Sequence, residues 1–311
     1  MFESLRTHHF YTTIVFFVKF STNKGGTLLS KSLFLIILIA FQALHADLIL
    51  TTNKTTKTIN DYTLITKKPV MGAVIDNLAT DAMIAAWGFT YWDWGNRSLH
   101  SKTEPWFEKD SQTGGSDKTG HFYMTYLLSR VLASRMQDRG WTLEESSLYG
   151  ALSGMLSMTL LEVGDGTSNY GFSKEDLAAD AIGASLAYLI RVYPRVDDFV
   201  DVRLEYLPTS DYLKGGDNTT DYSGMKHLVA FKMAGFESLE HSYWSLLEFQ
   251  VGYYARGYRS FDTQPRSQHL YAGVGISLAN LAKRSQINVL KNLFEFYQPG
   301  HTYIEKDLWN R

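Results

Sequence analysis

Glu162-Val-Gly-Asp165-Gly-Thr-Ser-Asn-Tyr-Gly171-Phe-Ser173-Lys-Glu-Asp176-Leu-Ala-Ala-Asp180 separates two apolar runs that read as helices. The first, Leu143 to Val163, carries Gly150, Gly154 and Ser157 as a small-residue stripe. The second starts at Ser173 and stops before Pro194, with Ala179, Gly183 and Ala187 as its stripe. Small residues at this spacing let helix backbones approach closely. Ser173 followed three residues later by Asp176 reads as a capping box with Asp in place of Glu. Glu162, Asp165, Asp176 and Asp180 therefore sit beside segments that read as buried. An unpartnered buried carboxylate is costly, so the stretch demands partners elsewhere in the chain.

Those partners lie upstream, in Gly114-Gly-Ser-Asp117-Lys118-Thr-Gly-His121, which opens a further helix running to about Met136. Before it, Ile75, Leu78, Ala82 and Ala85-Ala86 are spaced for one face of a helix over Ala73–Phe89. Trp87, Tyr91, Trp92, Trp94 and Trp106 crowd the segment that follows. Such clusters fill cores more often than they form lids or ligand surfaces. Each helical run is a little short for a membrane span and carries polar residues, which favours buried core helices.

After Pro194 the apolar period changes to two. Val202, Leu204 and Tyr206 alternate with polar residues, and residues 226–236, 246–257 and 268–278 behave alike. Four strands in series suggest an antiparallel meander. Apolar-out and small-or-polar-in is also how outer-membrane strands read. Four strands cannot close a barrel, so a sheet packed on helices is expected. Ile287, Leu290, Leu293, Phe294 and Tyr297 then outline a closing amphipathic helix. The fold class is thus α+β: an N-terminal helical bundle followed by a C-terminal antiparallel β-meander with a closing helix. The expected division is a targeting segment over 1–46, a Thr-rich linker over 47–70, a helical unit over 71–195 and a sheet unit over 196–311.

The chain's 311 residues allow a large core, and a net charge of −2 gives no field for nucleic acid. Cysteine is absent, which removes disulfides, zinc–thiolate sites and thiol nucleophiles. Lys24 and Lys31 precede the apolar run Ser32–Phe41, which ends at Ala43-Leu-His-Ala46. This is the layout of a secretory signal cut before Asp47, with an uncleaved anchor as the alternative.

On their helices, Asp117 and His121 share a face, as do Lys118 and His121, and Asp176 and Asp180. Three antiparallel helices gather Asp117, Lys118, His121, Glu162, Asp165 and Asp176 at one end. A histidine among carboxylates gains basicity and a fixed tautomer, as a general base needs, and Lys118 could stabilise developing negative charge. Asp117, Lys118, His121, Glu162 and Asp165 are therefore the candidate catalytic residues. Ser173, Asp176 and Asp180 are assigned structural or capping roles. The plainer alternative makes Asp117 an N-cap and Lys118–Glu162 a buried ion pair that sets helix register. The span Asp165–Asp176 has calcium-loop length, but Tyr170 stands where that loop needs glycine. No cofactor is named, and the metal question stays open.

Asp117-Lys118-x-x-His121-Phe122, Glu162-x-x-Asp165-Gly166, Gly171-Phe-Ser173-x-x-Asp176 and Gly183 together resemble the YfiM-type predicted periplasmic lipoproteins, a bacterial family of unknown function. The order of these groups is similar, more remotely, to VanZ-like membrane proteins. The resemblance covers roughly residues 75–193 and implies an exported envelope protein, periplasmic or outer-membrane associated. A membrane or envelope component is the partner it implies. The chain departs from the pattern in having no lipobox cysteine and in Asp180, where the family carries Asn. Two functions follow as expectations: binding or hydrolysis of an envelope lipid or glycan group, or a non-catalytic structural or assembly role at the outer membrane.

Overall fold

The computed structural model describes residues 70–213, 217–258 and 264–311. The expected targeting segment over 1–46 and the expected linker up to residue 69 lie outside the described residues. Helix α1 (Val70–Tyr91) starts three residues before the expected helix and takes in Val70, which the expected linker had included. Helices α2 (Ser116–Asp138), α3 (Leu143–Asp165) and α4 (Lys174–Val192) form the bundle, within two residues of the expected bounds. Thr142 and Glu145 start α3 as a complete capping box, each side chain accepting from the other's backbone N–H. Gly115, in the left-handed conformation at φ 83°, turns the chain into α2.

The small-residue stripes are contact lines. A Cβ at Gly150 would strike Ala133 of α2, one at Gly154 would strike Ser129, and one at Gly183 would strike the carbonyl of Phe122. α2 is thus flanked by α3 and α4 at near-backbone distance. α3 buries this small and hydroxylated side and leaves Leu148, Leu152, Leu156 and Leu160 exposed. That is the reverse of a water-soluble helix. Among the described residues, no helix is long and apolar enough to cross a membrane.

A short helix α5 (Pro194–Phe199), with Pro194 at its start, leads into β1 (Val200–Tyr206). A one-turn helix α6 (Ser210–Leu213) follows, then β2 (Met225–Lys232), β3 (Leu247–Arg256) and β4 (Ser267–Ile276). The expected closing helix is two short helices, α7 (Leu278–Arg284) and α8 (Asn288–Phe294). They are not the last element, because a fifth strand, β5 (Tyr303–Asn310), adds to β4. The sheet is an antiparallel meander in the order β1-β2-β3-β4-β5. Tyr297, expected on the closing helix, instead bridges Leu204, and Leu204 bonds Phe296 O and Gln298 N.

The register places Val202, Leu204, Tyr206 and Met225 on the sheet face that meets α2 and α4, where Tyr123, Tyr126, Leu127, Ala187 and Ile190 complete the core. Further along that face, Phe231, Phe249, Val251, Val274, Ile276 and Ile304 are exposed. The other face is concave and polar. β1 and β2 reach β5 across it, with Tyr303 Oη donating to Glu205 Oε2 at 2.7 Å and Lys226 Nζ to Glu305 Oε2 at 2.7 Å. Arg203, Asp201, Glu248 and Gln250 are buried there.

Candidate functional site

α2, α3 and α4 bring the acidic stretch and Asp117-Lys118-x-x-His121 together at one end of the bundle. Lys118 is buried, and its Nζ meets Glu104 Oε2 at 2.6 Å, Asp176 Oδ1 at 2.6 Å and Asp117 Oδ2 at 3.1 Å. It does not pair with Glu162 as the structural alternative supposed. The α3–α4 turn carries Glu162 away from it, and Ser173 N–H donates to Glu162 Oε2 at 2.9 Å. The Ser173 cap is therefore half of the expected box: its Oγ accepts from Asp176 N–H at 3.1 Å, but Glu162 fills the reciprocal place. Asp176 is free to pair with Lys118 for that reason. Asp117 is not an N-cap, since Gly115 holds that position.

His121 sits at the mouth, its side chain 12% exposed, with the buried acids behind it. Nδ1 meets Asp180 Oδ1 at 3.2 Å. Nε2 lies 3.6 Å from Glu162 Oε1 and 4.0 Å from Asp117 Oδ1, both beyond hydrogen-bond length. Asp180, assigned to a structural or capping role, lies inside α4 and caps nothing; it also accepts from Thr125 Oγ1 at 2.6 Å. Asp165 closes α3 and accepts from Trp94 Nε1 at 2.7 Å. Trp94 fits there because Gly88 and Gly164 leave room for its ring, so this member of the aromatic cluster is both packing and site wall.

Burial favours the neutral carboxyl, and here it wins for three of the acids. Glu162 is pushed up to about 8 by burial, against the pull of His121. Asp176 rises to about 7, by burial and the charge of Asp117. Asp165 rises to about 6, by burial, partly offset by the Trp94 bond. For Asp117, burial is overridden by His121, Lys118 and the Tyr222 hydroxyl, which donates to Oδ1 at 2.5 Å, and it falls to about 2. For His121, burial is overridden by the bond to Asp180 and the charges of Asp176, Asp180 and Asp117, which hold its pKa well above the free value.

Glu104, Tyr222 and Thr125 complete the site and were not singled out from sequence, whereas Trp94 was noted only as one of an aromatic cluster expected to fill the core. Glu104 precedes the helix and Tyr222 comes from a loop about 100 positions away, so no helical spacing marks either. Thr125, one turn beyond His121 on the same face, is the one that the spacing rule could have found.

Residues 103–192 match a family described as "Predicted periplasmic lipoprotein (DUF2279)". The matched segment holds every residue of the cluster from Glu104 to Asp180 and none of the sheet. It is consistent with a periplasmic or outer-membrane-associated location in the cell envelope. No curated protein and no solved structure matches the chain.

Proposed function

We propose that the end of the bundle binds and hydrolyses a lipid or glycan group of the cell envelope, with the imidazolium of His121 and the protonated carboxyl of Glu162 as proton donors and the Asp117 carboxylate as the anion that holds the imidazolium. One observation carries this reading. Two carboxylates flank the same imidazole nitrogen, and their environments push them apart, Asp117 to about 2 and Glu162 to about 8. At neutral pH one is an anion and the other a proton donor, which is how paired carboxyls acquire separate roles. Lys118 stands beside Asp117, where it stabilises negative charge. The likeness of the Asp-Lys-x-x-His and Glu-x-x-Asp-Gly groups to YfiM-type lipoproteins supports the envelope setting. Purified protein incubated with radiolabelled envelope phospholipids and peptidoglycan fragments should release a cleavage product. His121→Gln and Glu162→Gln should each lower its formation at least about 100-fold with unchanged circular dichroism. Undiminished turnover in both variants overturns the reading.

A second reading, a structural or assembly role at the outer membrane, is favoured by the inverted surfaces. The exposed half of the sheet is apolar, with Ile304 84% exposed, while charged groups line its concave side, and α3 turns its leucines outward. Lipid-facing strands alternate in this sense. Flotation with vesicles of phosphatidylethanolamine and phosphatidylglycerol should carry the protein upward, and Val274→Asp with Ile304→Asp should leave it in the soluble fraction. Equal flotation of both forms counts against lipid contact through the sheet.

A further inference from the structure

We propose that His121, Glu162 and Asp180, one residue from each bundle helix, form a binding site for a divalent transition-metal ion such as zinc. One ligand atom from each of the three lies within 4.8 Å of the others. Bonds of about 2.0–2.2 Å from nitrogen and oxygen to zinc would draw these atoms together from that spacing. A cluster of acids is not in itself a site, but two atoms here add an independent observation. Glu162 Oε1 and Asp180 Oδ2 are buried with no hydrogen-bond partner, in side chains that are 1% and 0% exposed. Native structures rarely leave such atoms unmet.

The charges divide in the same way. Lys118 is already served by Glu104, Asp117 and Asp176. Among the described residues, the ion pairs of Glu162 and Asp180 are with His121, and a divalent ion would supply further positive charge there. Their other oxygens are fixed by the protein: Glu162 Oε2 by Ser173 N–H and Asp180 Oδ1 by Thr125 Oγ1. Such outer bonds orient metal ligands. One imidazole and two carboxylates leave a coordination position open on the side where His121 reaches solvent, the arrangement of catalytic and not structural zinc.

The inference shares His121 and Glu162 with the hydrolytic reading but does not need it: with an ion bound, the two would be its ligands and not proton donors, and the ion would supply the polarisation. Zinc titrated into chelator-treated protein, followed by calorimetry, should bind with one ion per chain. Affinity should fall at least about 10-fold to 100-fold in Glu162→Gln and in Asp180→Asn. His269→Ala, which removes the histidine beside Asp307 on the sheet, should leave it unchanged. No saturable binding by the folded wild type, or equal affinity in Glu162→Gln and Asp180→Asn, overturns the proposal. X-ray absorption on zinc-loaded wild type, which needs no variant to fold, should show a single imidazole among oxygens; two or more imidazoles would place the ion elsewhere and overturn it too. Metal binding without any cleavage product sinks the hydrolytic reading alone. Cleavage by protein that binds no zinc sinks the metal site alone.

Discussion

The molecule buries charge in two places, and the two solve the problem differently. On the concave side of the sheet, Arg203 donates to Asp201 Oδ2 at 2.5 Å and to Glu248 Oε1 at 2.7 Å, and Lys232 reaches Asp201 Oδ1 at 2.6 Å. Two cations face two anions. Burial works against the charge on Arg203 and Asp201, but their partners prevail: Arg203 is held above and Asp201 below its ordinary value, so both stay ionised. At the end of the bundle, Glu104, Asp117, Glu162, Asp165, Asp176 and Asp180 face, among the described residues, Lys118, His121 and, through Glu104 at the rim, Lys102, and three of the acids are pushed toward the neutral form. Both regions contain unpartnered buried atoms, including Arg203 Nε and Glu248 Oε2 in the sheet. Unmet atoms alone therefore do not separate them. Charge balance does: the balanced cluster reads as architecture and the unbalanced one as a site.

The largest expected effect tests the architectural side. Arg203→Ala takes from Glu248 its cation and leaves Asp201 with Lys232 alone in the sheet interior, and should cost about 3–5 kcal/mol, read as a fall in the urea midpoint. A loss below about 1 kcal/mol would mean that the sheet charges are better hydrated than their burial implies.

Next comes pH. Glu162, Asp176 and Asp165 hold protons in the native state up to about 8, 7 and 6, whereas unfolded they release them near 4.5 and 3.8. His121, raised as well, acts in the same sense above 6.5. Between those limits the native state binds more protons than the unfolded chain, so stability falls as pH rises, by at most about 1.4 kcal/mol per unit for each group. Asp117 and Asp201 are lowered, so their contributions are present above 3.8 and are lost only as pH falls below it. Melting temperature should therefore drop from pH 5 to pH 9, and Glu162→Gln should flatten the slope. A melting temperature that climbs over this range breaks the comparison.

The two histidines inside the protein sharpen it further. His227 has Thr119 Oγ1 at 2.9 Å from Nδ1 and no carboxylate partner, and burial lowers it to about 3. Ring-proton NMR should show His121 titrating above 6.5 and His227 neutral throughout the neutral range. A His121 value below 6.5 would remove the charged cluster. The smallest effect is Glu162→Gln on stability at about pH 4, where the carboxyl is largely neutral in both the folded and the unfolded chain: the change there should stay within about 1 kcal/mol, against the far larger loss at Arg203.

The helices were legible because their starts and contact lines are local signals. Ser173 caps where expected, and the glycine stripes mark close packing. The clustering of Asp117, Lys118, His121 and Glu162 could be read because spacing on a helix fixes direction. Partner choice could not: whether Lys118 meets Glu162 or Asp176 depends on the path of the connection 166–173 between α3 and α4, which helical spacing does not fix. β5 escaped because Glu305, Lys306 and Asp307 interrupt its alternation on an edge exposed to solvent. Tyr297 looked helical because Leu290, Leu293 and Phe294 precede it at helical spacing, but its backbone is claimed by Leu204.

The hydrogen bonds from Leu204 N–H to Phe296 and from Gln298 N–H to Leu204 set an order of assembly. Every other strand pairing joins neighbours in sequence and can form as soon as both are present. This one joins segments more than 90 positions apart, so a chain emerging N-terminus first must hold the edge of β1 bare until nearly all of it has appeared. Bare edges invite pairing with other chains. A ribosome-stalled or truncated chain that stops before Phe296 should be the form that a holding chaperone retains and that aggregates first.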